Sequence, residues 1–492
     1  MLNFEFVFSK AIPKQQVVTK WHCCLIRTAE NDLFCNFGIF YQSCCYLKNK
    51  LFHKLIIFFG CLVGSGMKSQ ETGFTIISNK DKLTVPFISI NNLIFIEVQV
   101  NEVPMVFLLD SGVDKTILFS LEEVNEVQFL NAEKTTFRGL GSGLASVEGF
   151  KASKNKLSIA DYFVDNNHDI YLILEQDFNI SSGIGVPVNG ILGYEFFKNH
   201  VVEIDYVRNK IHIYNDLSSI QKRIDKKFEK LNISLESNKP YLTAEILLNK
   251  YYQDTLKLLL DTGNSDAVWL FQNKIPEATI PENNFDDFLG KGFNGEVHGK
   301  RAKLDKIKVH NYVFQEPYVA FPDTLSIQNV RMVQDRAGSI GAEILRRFTI
   351  VFDYRNQALY FRPNSHYKED FRFNMSGIEV QHAGVQWIKT RDVTIDNNRE
   401  KNLLEDILEG FNYKLELKPI YKIYTLRPDS PAAIVGLQKD DEIISINGKK
   451  AHSYSLQKIK NLLQSEEGKK IQMEVKRNNV ILKFNFYLKS IL

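Results

Sequence analysis

Beyond residue 61 the chain has no cysteine. All six, Cys23, Cys24, Cys35, Cys44, Cys45 and Cys61, lie in the first 61 of its 492 residues. A disulfide framework or a structural zinc site distributes its cysteines among the elements it ties together, so neither holds the body of this chain. An excess of one charge is also lacking: 61 Lys and Arg against 58 Asp and Glu leave a net charge of +3. Without a dense basic patch, nucleic acid is not an expected partner. His200, His298 and His310 have no ligand spacing, and no metal or other cofactor is expected. What is present is ordinary globular material, 44% hydrophobic and 24% charged, in a length that fits about three domains.

The cysteine-bearing segment has its own grammar. Lys48, Lys50, His53 and Lys54 precede the apolar run Leu55 to Val63, and Gly64-Ser65-Gly66 follows. The run is far shorter than the roughly 20 residues that span a bilayer. A basic region, a short apolar run and small polar residues make a secretory signal. Residues 1–69 are therefore expected to be an N-terminal extension and export signal absent from the mature protein, cleaved just before Gln70. On this reading residues 1–46 are an over-extended start, with a non-AUG codon at Leu47 as initiator. Alternatives are a buried amphipathic element and a lipoprotein site at Gly60-Cys61, for which Phe58 is a poor residue three positions upstream. The expected location is exported, periplasmic or cell-envelope.

Residues 85 to 365 read as β structure. Runs such as IFIEVQV, KIHIY, KIKVH and ALYFRP are separated by Gly, Asn and Asp turns, with short helical pieces expected at Phe196 to Val201 and Ile344 to Phe348. An internal repeat organises them. Phe107-Leu108-Leu109-Asp110-Ser111-Gly112 recurs as Leu258-Leu259-Leu260-Asp261-Thr262-Gly263. Each copy leads to a Gly-rich stretch, Gly139, Gly141, Gly143 and Gly149 in one and Gly290, Gly292, Gly295 and Gly299 in the other. Each ends alike, in Ile191-Leu192-Gly193 with Val202 to Tyr206, and in Ser339-Ile340-Gly341 with Ile350 to Tyr354. Three landmarks in one order at nearly one offset mark a tandem duplication of about 150 residues, expected as lobes at 85–215 and 235–365.

An apolar strand that delivers Asp into a Ser/Thr-Gly turn holds a carboxylate at the strand end. Two such turns facing each other bring two carboxyls together. Like charges roughly 3 Å apart cannot both ionise, so the pair shares a proton. The ionised member can activate water while the protonated one donates to a carbonyl oxygen.

These paired motifs resemble the aspartic proteases of retropepsin and pepsin type. The resemblance implies a mainly β fold of two lobes, each a barrel, and an endopeptidase acting on peptide or protein substrate. It implies Asp110 and Asp261 as the catalytic pair, Ser111, Gly112, Thr262 and Gly263 as bracing turns, and Gly193 and Gly341 in loops beneath them. The Gly-rich stretches Arg138 to Gly149 and Gly290 to Gly299 would be hairpin flaps closing over substrate; the flap tyrosine of pepsins has no clear match. Both aspartates lie on one chain, so a catalytic monomer is expected. The alternative is an inert exported scaffold that only binds peptides. Asp205 and Asp353 recur too, and read as strand-end residues before turns.

Residues 371–492 change texture. Ser430 to Gly436 reads as a short helix with a glycine cap, Asn447-Gly448 as a tight turn after an alternating strand, and Ser455 to Gln464 as a helix. The run SPAAIVGLQKDDEIISINGK closely resembles a PDZ domain of the bacterial exported type. That resemblance implies an α+β module binding a peptide C-terminus beside Lys422 to Leu426, with Met375 to Ile378 as first strand and residues 390–415 as an insertion. A trypsin-like reading of Gly263-Asn264-Ser265 fails, because Asp266 and Ala267 follow where the oxyanion-hole glycine would be needed.

Overall fold

The computed structural model describes residues 73–78, 81–124, 126–143, 146–173, 179–391 and 413–492. The readings of the cysteine-bearing segment therefore lie outside the described residues. The rest is mainly β, as expected, in four sheets.

Two of these sheets repeat one plan. In the first, Val103–Leu109 lies between Leu93–Val100 and Gly190–Leu192, and Gly190–Leu192 pairs in turn with Thr116–Leu118. In the second, Tyr252–Asp261 lies between Lys239–Asn249 and Arg336–Gly341, which pairs with Val268–Leu270. In both, the strand that ends at the aspartate runs parallel to the strand that ends at the later glycine. A strand inside a sheet with both faces covered needs a continuous apolar run, which is why Phe107, Leu108 and Leu109 are all buried, as are Leu258, Leu259 and Leu260.

The third sheet joins the halves. Its order is Glu229–Asn232, Ala358–Pro363, Phe348–Asp353, Val201–Asp205, Lys210–Tyr214 and Lys82–Pro86, three strands from each half. The central pair is antiparallel, with Glu203 opposite Val351. Those two positions are equivalents in the repeat, so a pseudo-twofold axis passes between them. Aromatic rings pack across this seam: Phe197 of the first half meets Phe352 at 5.0 Å and Tyr354 at 5.4 Å. Each such burial stabilises by about 1.5–3 kcal/mol before chain entropy is counted. Asp205 and Asp353 end their strands just before turns, as expected. Asp205 accepts from the Val207 and Arg208 amides, and Asp353 from the amide and side chain of Asn356.

The helical pieces differ from expectation. They are Tyr194–Phe197 and Ala342–Leu345, starting immediately after Gly193 and Gly341. Val201 and Phe348 instead begin strands, because the runs VVEID and FTIVFD are drawn into the joining sheet. Ser181–Ile184, Gln221–Lys227 and Thr324–Ile327 are further short helices.

The fourth sheet runs Ile378–Arg391, Tyr413–Leu426, Glu442–Ile446, Lys470–Arg477, Val480–Tyr487. Ser430 caps the short helix Pro431–Ile434, and Ser455 caps Leu456–Leu463. Asn447 and Gly448 both have positive φ, 50° and 77°, as a two-residue hairpin turn demands. Two expectations are corrected here. Lys422 to Leu426 belongs to an inner strand, engaged by Ile378–Arg391 on one side and around Asp441–Ile443 on the other, so it has no open edge. Met375 to Gly377 precede the first strand, which begins at Ile378; pairing then continues to Arg391 and Tyr413, so the ends of the expected insertion form a long two-stranded arm.

Candidate active site

Each aspartate sits where its strand meets a turn. Asp110 closes its turn by accepting the Val113 amide at its carbonyl, and Asp261 does the same with Asn264, both at 3.4 Å. The carboxyls are held by their own turns: Gly112 N donates to Asp110 Oδ1 at 2.7 Å, and Gly263 N to Asp261 Oδ1 at 3.1 Å.

Between them lies a reciprocal brace. Ser111 N donates to Thr262 Oγ1 at 3.0 Å, and Thr262 N to Ser111 Oγ at 3.1 Å. Each hydroxyl then donates across the axis to the strand before the opposite aspartate, Ser111 Oγ to the Leu260 carbonyl at 2.8 Å and Thr262 Oγ1 to that of Leu109 at 2.9 Å. Both side chains are almost wholly buried, and both amides and both hydroxyls of this knot have partners inside the protein.

The brace brings the carboxyls of Asp110 and Asp261 together, each over the glycine of the opposite turn. The glycines make this approach feasible. A Cβ on Gly263 would lie 2.2 Å from Asp110 Oδ2, and one on Gly112 would lie 2.9 Å from the Asp261 carboxyl carbon. Each glycine thus leaves the space that the opposite half's carboxyl fills. Gly193 and Gly341 serve the layer below. A Cβ there would meet the Val113 carbonyl oxygen or the Asp266 carbonyl oxygen, each at 2.2 Å, so only glycine lets the strand pass under the turn that follows each aspartate.

Burial raises the pKa of both carboxyls. For Asp110 the neighbouring charge of Asp261 raises it further, while the bond from the Gly112 amide and then the charge of Lys239 oppose. For Asp261 the opposing influence is led by Arg336. The two carboxyls are chemically alike but differently surrounded, since Arg336 acts on Asp261 and the charge of Asp261 acts on Asp110. Arg336 is buried on the strand that ends at Gly341, bonded to the Gly338 carbonyl and to Ser339 Oγ, with its guanidinium 5.2 Å over the Phe271 ring. Sequence reasoning passed over it because no motif contains it.

The Gly-rich stretches lie in hairpins larger than expected. The first pairs Ala132–Phe137 with Val147–Ile159; the second pairs Asn284–Gly292 with Gly295–Lys303 around a turn at Phe293-Asn294. In the second, Gly290 has φ +144° beside a register shift that lets Leu289 step out of the ladder. The two tips bind one another. Gly143 N donates to the Asn294 carbonyl at 2.6 Å, Asn294 N to that of Leu140 at 2.8 Å, and Gly139 N to Asn294 Oδ1 at 2.7 Å. Gly141 and Gly292 allow the contact: a Cβ on Gly141 would reach the Asn294 carbonyl carbon at 2.3 Å, and one on Gly292 the Leu140 oxygen at 2.2 Å. The tips also exchange side chains. Leu140 packs in the Trp269, Phe271 and Val297 cluster of the second half, and Phe293 in the Phe137, Val147 and Ile184 cluster of the first. Asn294 carries this junction, and its only sequence signal was a turn residue beside Gly295.

A polar chain leads away from the second turn. Asp266 accepts from Trp269 Nε1 at 2.7 Å and from Arg301 at 2.9 Å; Arg301 also reaches Asp287 at 2.9 Å, and Arg427 of the fourth sheet lies 3.8 Å from Asp287.

Comparison with known proteins bears on two regions. Residues 422–477 match the PDZ domain family. PDZ domains bind peptide ligands. No curated protein matches the chain. A crystal structure of an aspartic proteinase from Irpex lacteus is similar over 58% of this chain and 99% of that one, at 12% identity and a TM-score of 0.38.

Proposed function

We propose that this chain is an aspartic-type endopeptidase, with Asp110 and Asp261 sharing one proton across a pseudo-twofold axis. The observation that carries the reading is the pair of facing carboxyls, each seated in the space left by the opposite half's glycine. Asp261 would take a proton from a water held between the carboxyls. Asp110 would give its proton to the carbonyl oxygen of the scissile amide as that water attacks. The tetrahedral species then collapses as the amide nitrogen gains a proton, and the original protonation returns. Because both acids come from one chain, a monomer suffices. The hairpin tips at Gly139 to Gly143 and Gly292 to Gly295 would act as flaps that part to admit an extended peptide.

The test is turnover of an unstructured protein such as casein, with Asp110→Asn and Asp261→Asn as controls. Each is expected to lower kcat by about 100–10,000-fold, the range for loss of a general acid or base. A statine-type analogue of the tetrahedral species should raise the melting temperature of the unaltered chain and not of either variant. Equal turnover by all three proteins would refute the assignment. No turnover with no analogue binding would favour an inert peptide-binding scaffold.

A further inference from the structure

One edge of the PDZ sheet is Ile378–Arg391, and Leu456–Leu463 packs beside it. A strand edge flanked by a helix is where a module of this kind receives an extended peptide. In this chain a segment of the first half lies against both elements. The helix Ser181–Ile184 from the first half packs against Ile378–Arg391, and the Gly183 carbonyl accepts a bond of 3.1 Å from Lys460 Nζ on the flanking helix. Next to it, Gln457 Oε1 accepts from the Asn91 amide at 2.6 Å. Gly185, at φ +85°, lies so close to the helix that a Cβ there would stand 2.8 Å from that of Leu456.

The occupying segment is tied to the hairpins. Ile180, Ile184, Val186 and Val188 pack in the cluster that includes Phe137 and Val147 at the root of the first hairpin and Phe293 at the tip of the second. The opposite flank of the module grips the second hairpin directly: Tyr424 donates to Glu296, its ring meets Phe288 at 5.6 Å, and Phe373 packs on Phe285 at 5.8 Å.

We propose that the PDZ module is a clasp whose ligand groove is filled in cis by Ser181–Val186, and that a peptide with a free C-terminal carboxylate opens it by competing for that groove. Displacing the segment withdraws the packing under Phe293 and loosens the paired tips. A groove that is mostly filled binds an external peptide weakly, in proportion to the fraction of molecules in which it is empty. Freeing the segment therefore tightens peptide binding. The consequence for turnover rests on the endopeptidase reading; the linkage between groove and hairpins does not.

The experiment uses the full chain carrying Asp110→Asn, so that turnover plays no part. The probe is a fluorescent pool of random heptapeptides with free C-termini, with the amidated pool as control. Gly185→Ala, which adds a methyl group against Leu456 and leaves every groove residue of the module intact, is expected to bind the free-acid pool at least tenfold more tightly than its parent. Gln457→Ala, made from the other side of the contact, should shift binding the same way. Saturating peptide should speed amide exchange at 139–143 and 292–296. Unchanged affinity in both variants, absence of binding by all three proteins, or unchanged exchange at the tips would each overturn the proposal.

Discussion

At the scale of single residues, Ser111 and Thr262 use backbone and hydroxyl alike to tie the two turns, so the position of each aspartate depends on the opposite half. Thr262→Ala removes one acceptor and one donor from a buried knot and strands the Ser111 amide. The expected loss is about 1–3 kcal/mol in denaturant unfolding, with Thr262→Ser restoring most of it. Gly263→Ala is expected to abolish turnover by driving the Asp110 carboxyl from its seat, while circular dichroism stays that of a folded β protein. Arg336 tests the asymmetry of the pair. Its charge lowers the pKa of Asp261, so Arg336→Met raises it, and the acid limb of the kcat/KM profile should move to higher pH. A limb that stays in place would reduce Arg336 to a brace for Gly338 and Ser339. Stability should follow the same logic with its sign worked through. Asp110 holds its proton more tightly in the folded state than its ordinary value of 3.8 allows in the unfolded chain, so it contributes stability at low pH that is lost as pH rises through the raised value. Asp110→Asn lacks that loss and should gain on its parent in denaturation midpoints between acid and neutral pH.

Among the elements, the hairpins are held by each other. Asn294→Ala removes the bond to the Gly139 amide and should accelerate exchange in both tips at once, although the residues are 155 positions apart. Faster exchange in the second tip alone would show that the tips are independent. This junction also marks the limit of what the sequence discloses. Asp110, Asp261 and their Ser, Thr and Gly neighbours are readable because a duplication repeats them in one order, and local motifs survive in one dimension. The tip contact, Arg336 and the Asp266–Arg301–Asp287 chain are not readable, because each joins residues whose spacing follows no period. The helices after Gly193 and Gly341 were misplaced for a related reason. Apolar runs such as FTIVFD suit either element, and tertiary pairing in the joining sheet decides between them.

For the whole molecule, the PDZ module is legible from its capped helices and Asn447-Gly448 turn, whereas its docking on the body is not. Phe373 of the segment leading into the module covers Phe285 and Tyr318 of the second half. A chain ending at Asp370 should therefore melt lower than the full chain and bind a hydrophobic dye, an outcome that calorimetry and fluorescence check together. The joining sheet has a further consequence for how such a molecule divides. Glu203, buried and held by Arg223 and Tyr214, lies on the pseudo-twofold axis opposite Val351. If the first half were expressed alone and paired with a copy of itself through the same strand, Glu203 would confront Glu203, two buried like charges directly across a ladder. The second half would set Val351 against Val351 without penalty. The axis that makes the site symmetric in its aspartates thus leaves the halves unequal as partners: pairing with itself through this strand would cost the first half more than the second.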